Sequence, residues 1–221
     1  IKEATSQLQL YKNQLRLITD GNIDLEITFN KLRDAAKANR TPLAETIDLF
    51  TKLRVTTQAL GKSEEDVLKV TNNLSRALQI AGADGNTAAS VIRQFGQAMA
   101  SGEVRGDEFR SLVEGLGPAL AIMAEETGIT VGELRKMSRA GELTADVMFD
   151  MLKNTEILNE KFAALQPTIQ QTEIAFTDSF KVMLAAIGEA SGATSLYQST
   201  LDRLISVMDG VSEALTESPF A

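Results

Sequence analysis

The sequence predicts an all-α fold, a multi-helix array of short capped helices followed by a longer helical hairpin or coiled-coil-like segment. Apolar residues recur at spacings of three and four through most of the 221 residues, as in Leu8, Tyr11, Leu15 and Ile18. Residues that favour helix starts precede these patterns, and glycines follow them. No stretch alternates apolar and polar residues beside a hairpin signal, so no strand is expected.

Five helices are expected before residue 102. The fourth has the clearest signals, because Ser63 is placed to cap it, Asp66 follows three residues later and Gly82 ends it. The expected extents are 1–19, Glu26 to Asn39, a segment that Thr41 caps and Gly61 ends, a segment that Ser63 caps and Gly82 ends, and a fifth that begins near Asn86 or Thr87 and ends before Gly102.

The next two helix starts lie after residue 105. Asp107 and Glu108 directly follow Gly106, and acidic residues stabilise the first turn of a helix. Gly106 is therefore predicted to reverse the chain, with a positive backbone angle. Pro118 follows Gly117, which is typical of the first turn of a new helix.

Two more helices follow, each with its own cap. Thr130 and Glu133 have the spacing of a capping box, in which the hydroxyl and the carboxylate each accept a backbone N–H. Gly141 is expected to end that helix. Thr144 can cap the last one, predicted to run from Ala145 to about Leu165.

This order of signals resembles the tape-measure domain of the tail length tape-measure proteins of tailed bacteriophages. The family pattern combines a Gly-x-hydrophobic-Arg-Gly-acidic-Glu-Phe segment, a Gly-Glu-Leu-Arg-Lys-Met helix and a Gly-x-Leu-Thr turn. The sequence agrees with it at Ser101, Gly102, 104–109, 128–137 and 141–144.

The resemblance continues upstream at 38–46, 60–65 and 78–83, so that it covers about Phe29 to Leu165. Pro42 departs from the pattern, since a serine or similar polar residue is expected there. Proline is well tolerated at the first position of a helix, so this departure does not weaken the comparison.

The resemblance implies a structural component of a phage or prophage virion, located in the tail and present in the host cytoplasm during assembly. It implies contacts with other tail proteins, namely the tube, an assembly chaperone and the baseplate or tip. It also implies roles in tail assembly, tail-length determination and genome delivery. For this segment it implies no enzyme activity.

Physical reasoning refines that expectation. A molecular ruler needs long uninterrupted helix, because each helical residue adds only about 1.5 Å. Glycine and proline interrupt this sequence repeatedly, so we interpret it as the compact head of a longer chain, with the ruler elsewhere. The alternative is a helical scaffold or adaptor module of a related phage-tail-like device. A cell-wall hydrolase fragment is a less favoured reading.

Charge and periodicity suggest a division into three parts. Residues 1–25 form a leading helix and its connection, residues 26–166 form a compact helical domain, and residues 167–221 form an acidic helical hairpin or the start of a coiled coil. Residues 141–221 hold 4 basic and 12 acidic residues, which accounts for the whole net charge of −8. An apolar four-three repeat there fits either the core of an ordinary hairpin or a self-associating rod. Its members are Tyr197, Leu201, Leu204, Met208, Val211 and Leu215.

Composition excludes several kinds of site. The sequence has no cysteine and no histidine, which removes disulfides, Cys/His zinc sites and Ser-His catalysis. No apolar run approaches the roughly 20 residues of a membrane span. The mild basic excess at 31–60 fits a solvated helix face better than a nucleic-acid interface.

Three short motifs have structural explanations that outweigh the functional ones, so no catalytic, cofactor-binding or metal-binding residue is predicted. The tripeptide 105–107 spells an integrin motif but enters a helix. Glu125 and Glu126 could be a carboxylate pair, yet neighbours on a helix point about 100° apart. The glycines between 102 and 117 lack the lysine and the preceding strand of a phosphate loop.

Overall fold

The computed structural model describes residues 2–19, 22–189, 199–203, 205–207 and 209. These residues are all-α, as predicted, and contain no strand; Glu103 and Thr144 form an isolated β-bridge. A single 3₁₀ turn, Gln58–Leu60, follows α3. The α-helices are α1 Lys2–Arg16, α2 Asn22–Asn39, α3 Leu43–Thr57, α4 Glu64–Ala81, α5 Gly85–Ser101, α6 Gly106–Glu126, α7 Val131–Ala140, α8 Ala145–Lys153, α9 Ile157–Ala163 and α10 Ile169–Glu189.

The chain divides into two compact units, Lys12–Ala175 and a second that combines Ile1–Tyr11 with Phe176–Ala221. In the larger unit α4 is the central helix and packs against α2, α3, α6, α8 and α9. Its inner face consists of apolar residues at helical spacing that are fully buried. They are Val67, Val70, Leu74 and Ala77.

Glycines end the helices where the sequence predicted. Gly61, Gly82 and Gly102 adopt left-handed backbone angles, with φ of 65°, 65° and 83°. At the start of α4, the Asp66 N–H donates to Ser63 Oγ over 3.1 Å, and Ser63 Oγ donates to the Asp66 carboxylate over 2.8 Å. The predicted caps of α4 are therefore confirmed.

Three predicted helix starts differ from the structure. The second helix begins at Asn22 rather than Glu26. Pro42, rather than Thr41, occupies the N-cap position of α3, and no side chain caps that helix. The fifth begins at Gly85 because the Asp84 carboxylate accepts the Thr87 N–H over 2.7 Å.

The single helix predicted from Ala145 to about Leu165 is wrong, since the segment forms α8 and α9. Asn154 leaves the helical conformation, with φ −111° and ψ 58°. The Glu126 carboxylate then accepts the N–H groups of Glu156 and Ile157 over 2.5 and 3.2 Å. A carboxylate at the end of α6 thus stabilises a new helix start at α9.

The smaller unit contains the C-terminal part of α10. The rings of Phe176 and Phe180 stack there, with centroids 6.1 Å apart, although Phe176 is 61% exposed. In the same unit, burial and then the negative charge of Asp178 raise the pKa of Tyr11. Of the predicted four-three repeat, Leu201 is described and is half-buried. Its other members, Tyr197, Leu204, Met208, Val211 and Leu215, lie outside the described residues.

Candidate partner-binding surface

Backbone hydrogen bonds join the loop before α6 to the loop before α8. Val104 N donates to Leu143 O over 2.8 Å, and Ala145 N donates to Gly102 O over 2.9 Å. Ser138 Oγ, on α7, donates to Val104 O over 2.9 Å. Both loops and α7 are therefore held in one arrangement, which fixes the orientation of α6 against α7.

Reciprocal capping fixes the beginning of α7. Glu133 N donates to Thr130 Oγ1 over 3.1 Å, and Thr130 N donates to the Glu133 carboxylate over 2.8 Å. Thr130 Oγ1 also donates to the Glu133 carboxylate, over 2.7 Å, and the two hydrogen bonds that Thr130 donates stabilise the ionised carboxylate and hold the pKa of Glu133 below its usual value. Gly141, with φ 71°, ends the helix, and Thr144 caps α8 through the Val147 N–H. The predicted capping signals of α7 and α8 are confirmed.

Two glycines shape α6. Gly117 breaks the helical conformation, with φ 43° and ψ −121°, so that Pro118 opens a second segment as predicted. Gly115 lies where α5 and α6 pack closely, and a side chain there would overlap the Val91 Cγ2 methyl group. The glycine at position 115 is therefore explained by the close packing of α5 on α6 rather than by a phosphate-binding loop.

A groove of about 380 Å³ lies between the first half of α6 and α7. Buried Phe109 and half-buried Val113 supply its apolar wall. Arg110 is paired with Glu114, with 2.8 Å between Nε and Oε1. The residues that line the groove are Gly106, Phe109, Arg110, Val113, Glu114, Arg135, Ser138 and Arg139. These include three arginines and one glutamate, so the groove is cationic.

A second surface feature is an open polar cleft of about 660 Å³ between α4, the end of α6 and the α8–α9 loop. Its charged side chains balance in sign, which distinguishes it from the cationic groove. They are Asp66, Lys69, Arg76, Glu126, Lys153 and Glu156.

Arg76 lines this cleft and joins three helices, α2, α4 and α9. Its Nε donates to Asn39 Oδ1 over 2.8 Å and its Nη1 to Asn159 Oδ1 over 2.6 Å. Its guanidinium lies 5.7 Å from the Phe162 ring centroid, and Arg40 lies 4.8 Å from the same centroid. Burial lowers the pKa of Arg76. The polar contacts satisfy a half-buried cation and fix α9 against α2 and α4.

Comparison with known proteins identifies the family. A family model described as tape measure protein matches residues 1–189, most of the chain. The chain belongs to the tape measure protein family. Searches of curated proteins and of solved structures gave no significant match. The resemblance seen at Ser101, Gly102, 104–109, 128–137 and 141–144 is thereby confirmed.

The tripeptide 105–107 lies at the start of α6. Arg105 lies at the N-cap position of α6 with Nε 3.4 Å from the Glu103 carboxylate, and Gly106 and Asp107 begin the helix. The positive backbone angle predicted for Gly106 is wrong, because Gly106 is a helical residue. The reversal takes place instead at Gly102, whose φ is 83°.

The glutamates at 125 and 126 lie in the last turn of α6, as expected, and their carboxylates have different surroundings. Glu125 is exposed, whereas Glu126 bonds the start of α9. In the described part of the chain, no cluster of His, Cys, Asp and Glu could hold a metal ion. Among the same residues, no helix combines the length and apolar character needed to cross a bilayer.

Sequence reasoning missed the Arg76 contacts and the cationic groove. Asn39 is completely buried and bonds a residue 37 positions later, which no local pattern signals. The groove had a weak local signal, since Arg135 and Arg139 are four residues apart on a helix and share one face.

Proposed function

We propose that this chain is a folded assembly module of a phage tail tape-measure protein, rather than the part that measures length. In this role it contributes to tail assembly by contacting other tail proteins, with the tube, an assembly chaperone and the baseplate or tip as the expected partners. Length determination and genome delivery are roles of the whole protein in the virion tail, after assembly in the host cytoplasm.

The observation that carries this proposal is the shortness of the helices. Among the residues that the structure describes, the two longest helices, α6 and α10, have 21 residues each, and Gly117 interrupts α6. A straight helix of that size spans only about 32 Å. The helices between Lys12 and Ala175 pack against one another instead of extending end to end, so this part of the chain adds little length.

Long-range contacts within the fold support a module that holds its binding surfaces in fixed positions. The backbone pairing of Val104 with Leu143 and the Arg76 contacts bridge residues distant in sequence, and they hold α6, α7 and α9 in place. Rigid elements position binding residues more accurately than loops do. We retain 26–166 as the proposed functional domain, with 1–25 and 167–221 as its flanking helical parts.

Deletion of residues 12–175 from the full-length protein separates an assembly role from a measuring role. If these residues measured length as continuous helix, tails would shorten by about 250 Å. The proposed role predicts that few or no tails form. Electron microscopy of lysates gives both tail number and tail length, so shortened tails in normal number would contradict the proposal.

A point substitution tests the same role without changing chain length. Gly115→Val places a side chain against Val91 and should disrupt the packing of α5 on α6. Gly96→Val is the matched control, because that helical glycine has open space around it. Tail number should fall strongly with the first change and remain near normal with the second. Normal tails with Gly115→Val, in a protein shown to have lost thermal stability, would also oppose the proposal.

A further inference from the structure

The fold accounts for most of α7 and its N-cap but leaves the two arginines of that helix, Arg135 and Arg139, without a partner in the described part of the chain. Thr130 and Glu133 cap α7, Leu134 is completely buried, and Ser138 bonds a neighbouring loop. Arg135 and Arg139 are exposed, and within the described residues neither forms an ion pair or a side-chain hydrogen bond. Their side chains are available to a ligand.

Their placement gives them a common direction. Arg135 and Arg139 are four residues apart on α7, so their side chains are neighbours on one helix face, and both line the α6–α7 groove. Arg139 also lies in the last turn of α7, where a cation stabilises a helix end. That stabilisation explains a cation at position 139, but it does not explain Arg135 or the position of both arginines along the groove.

We propose that the α6–α7 groove binds an acidic helical segment of a partner protein through Arg135 and Arg139. The groove is a cationic surface on a chain whose formal net charge is −8. Two carboxylates spaced four residues apart on a partner helix match the arginine spacing, and guanidinium groups bind carboxylates in bidentate geometry. This inference rests on the proposed function, because it supplies the chemistry of one partner contact.

The size and walls of the groove define the ligand further. A volume of about 380 Å³ accommodates side chains, so the backbone of the partner lies across the opening. Half-buried Val113 offers contact for a small apolar side chain between the carboxylates. Phe109, the aromatic residue of the groove, is only 2% exposed and offers no ring for base stacking. These features favour an acidic peptide over a single-stranded nucleic acid.

The test uses two fluorescently labelled alanine-based peptides of about 20 residues, long enough to form helix. One carries glutamate pairs four residues apart, and the other carries glutamine at the same positions. Fluorescence anisotropy at low salt should show binding of the glutamate peptide alone, weakening as salt screens the charges. Substituting Arg135→Glu and Arg139→Glu together should weaken binding by at least about tenfold.

A matched double variant controls for net charge. Arg93→Glu with Lys161→Glu changes the charge equally at exposed positions outside the groove and should leave binding near the wild-type value. Far-UV circular dichroism verifies folding, and an Arg135→Gln, Arg139→Gln protein replaces any charge-reversal protein that unfolds. Equal losses in the groove and control variants would overturn the proposal, as would unchanged binding in the groove variant.

A single-stranded DNA oligonucleotide of about 20 nucleotides provides the last comparison. Tighter binding to it than to the glutamate peptide, lost in the groove variant, would reassign the groove to nucleic acid and overturn the proposal. Peptide binding is measured in solution and tail formation in lysates, so the groove and the proposed assembly role can fail separately.

Discussion

Helices α7 and α10 begin with the same local device but bury very different surfaces. Thr130 and Glu133 cap α7 reciprocally. In the same way at α10, Thr168 N donates to Gln171 Oε1 over 3.0 Å, and Gln171 N donates to Thr168 Oγ1 over 3.2 Å. The apolar Leu134 of α7 is completely buried, whereas Ile169 at the start of α10 is 82% exposed. A cap therefore sets where a helix begins, and tertiary packing decides whether it stabilises the fold.

The comparison predicts its largest effect at the apolar positions. Leu134→Ala should lower the free energy of unfolding by about 2–5 kcal/mol, because it removes buried methyl groups and leaves a cavity. Ile169→Ala should change it by less than about 0.5 kcal/mol, since its side chain is already in water. Urea unfolding followed by circular dichroism measures both.

Equal losses for the two changes would show that Ile169 is buried in solution. If the loss for Ile169→Ala then depended on protein concentration, self-association would be the cause. The apolar start of α10 would in that case be an interface between copies of the chain.

Local signals account for much of the fold. Ser63, Thr130 and Thr144 each cap the helix predicted for them, because an N-cap needs only residues three positions apart. The break between α8 and α9 could not be predicted this way. It depends on Glu126, about 30 residues upstream, whose carboxylate reaches the start of α9 only after α6 has packed.

The candidate surface was less predictable than the fold. The sequence identified α7 and its caps, and helical spacing already placed Arg135 and Arg139 on one face. Which helix lies opposite that face depends on Ser138 and Val104, which are 34 residues apart. Hydrogen bonds between residues distant in sequence, from the Ser138 hydroxyl and from the backbone of the two loops, position the walls of the groove.

The next prediction compares the two capping threonines. Thr130→Ala should lower the free energy of unfolding by about 1 kcal/mol, because the Glu133 N–H loses its capping partner in a helix that packs on α6. Thr168→Ala should mainly fray the first turn of α10, with a smaller change in global stability. Amide hydrogen exchange at Glu133 and Gln171, combined with thermal melting, distinguishes global from local loss.

A drop in melting temperature as large for Thr168→Ala as for Thr130→Ala would mean that the start of α10 is coupled to the core as tightly as α7 is. The contrast in burial between Leu134 and Ile169 would then be a poor guide to the stabilities of the two helices.

The smallest expected effect concerns the pH dependence of stability. The two capping boxes should differ in it, because one contains a carboxylate and the other an amide. The pKa of Glu133 is lowered in the folded protein by hydrogen bonds from Thr130, whereas Gln171 does not titrate. The stabilisation from Glu133 is therefore complete above the ordinary glutamate pKa of 4.5, which applies to the unfolded chain, and it is lost as the pH falls through the lower pKa of the folded protein. Glu133→Gln makes the two boxes alike, and the stability of this variant relative to the wild type should improve progressively below about pH 5.

Asp84 has a lowered pKa for a similar reason, but it is present in both proteins and cancels in the comparison. A stability difference that stays constant from pH 7 to about pH 3 would show that the ionised carboxylate of Glu133 contributes nothing to the α7 cap.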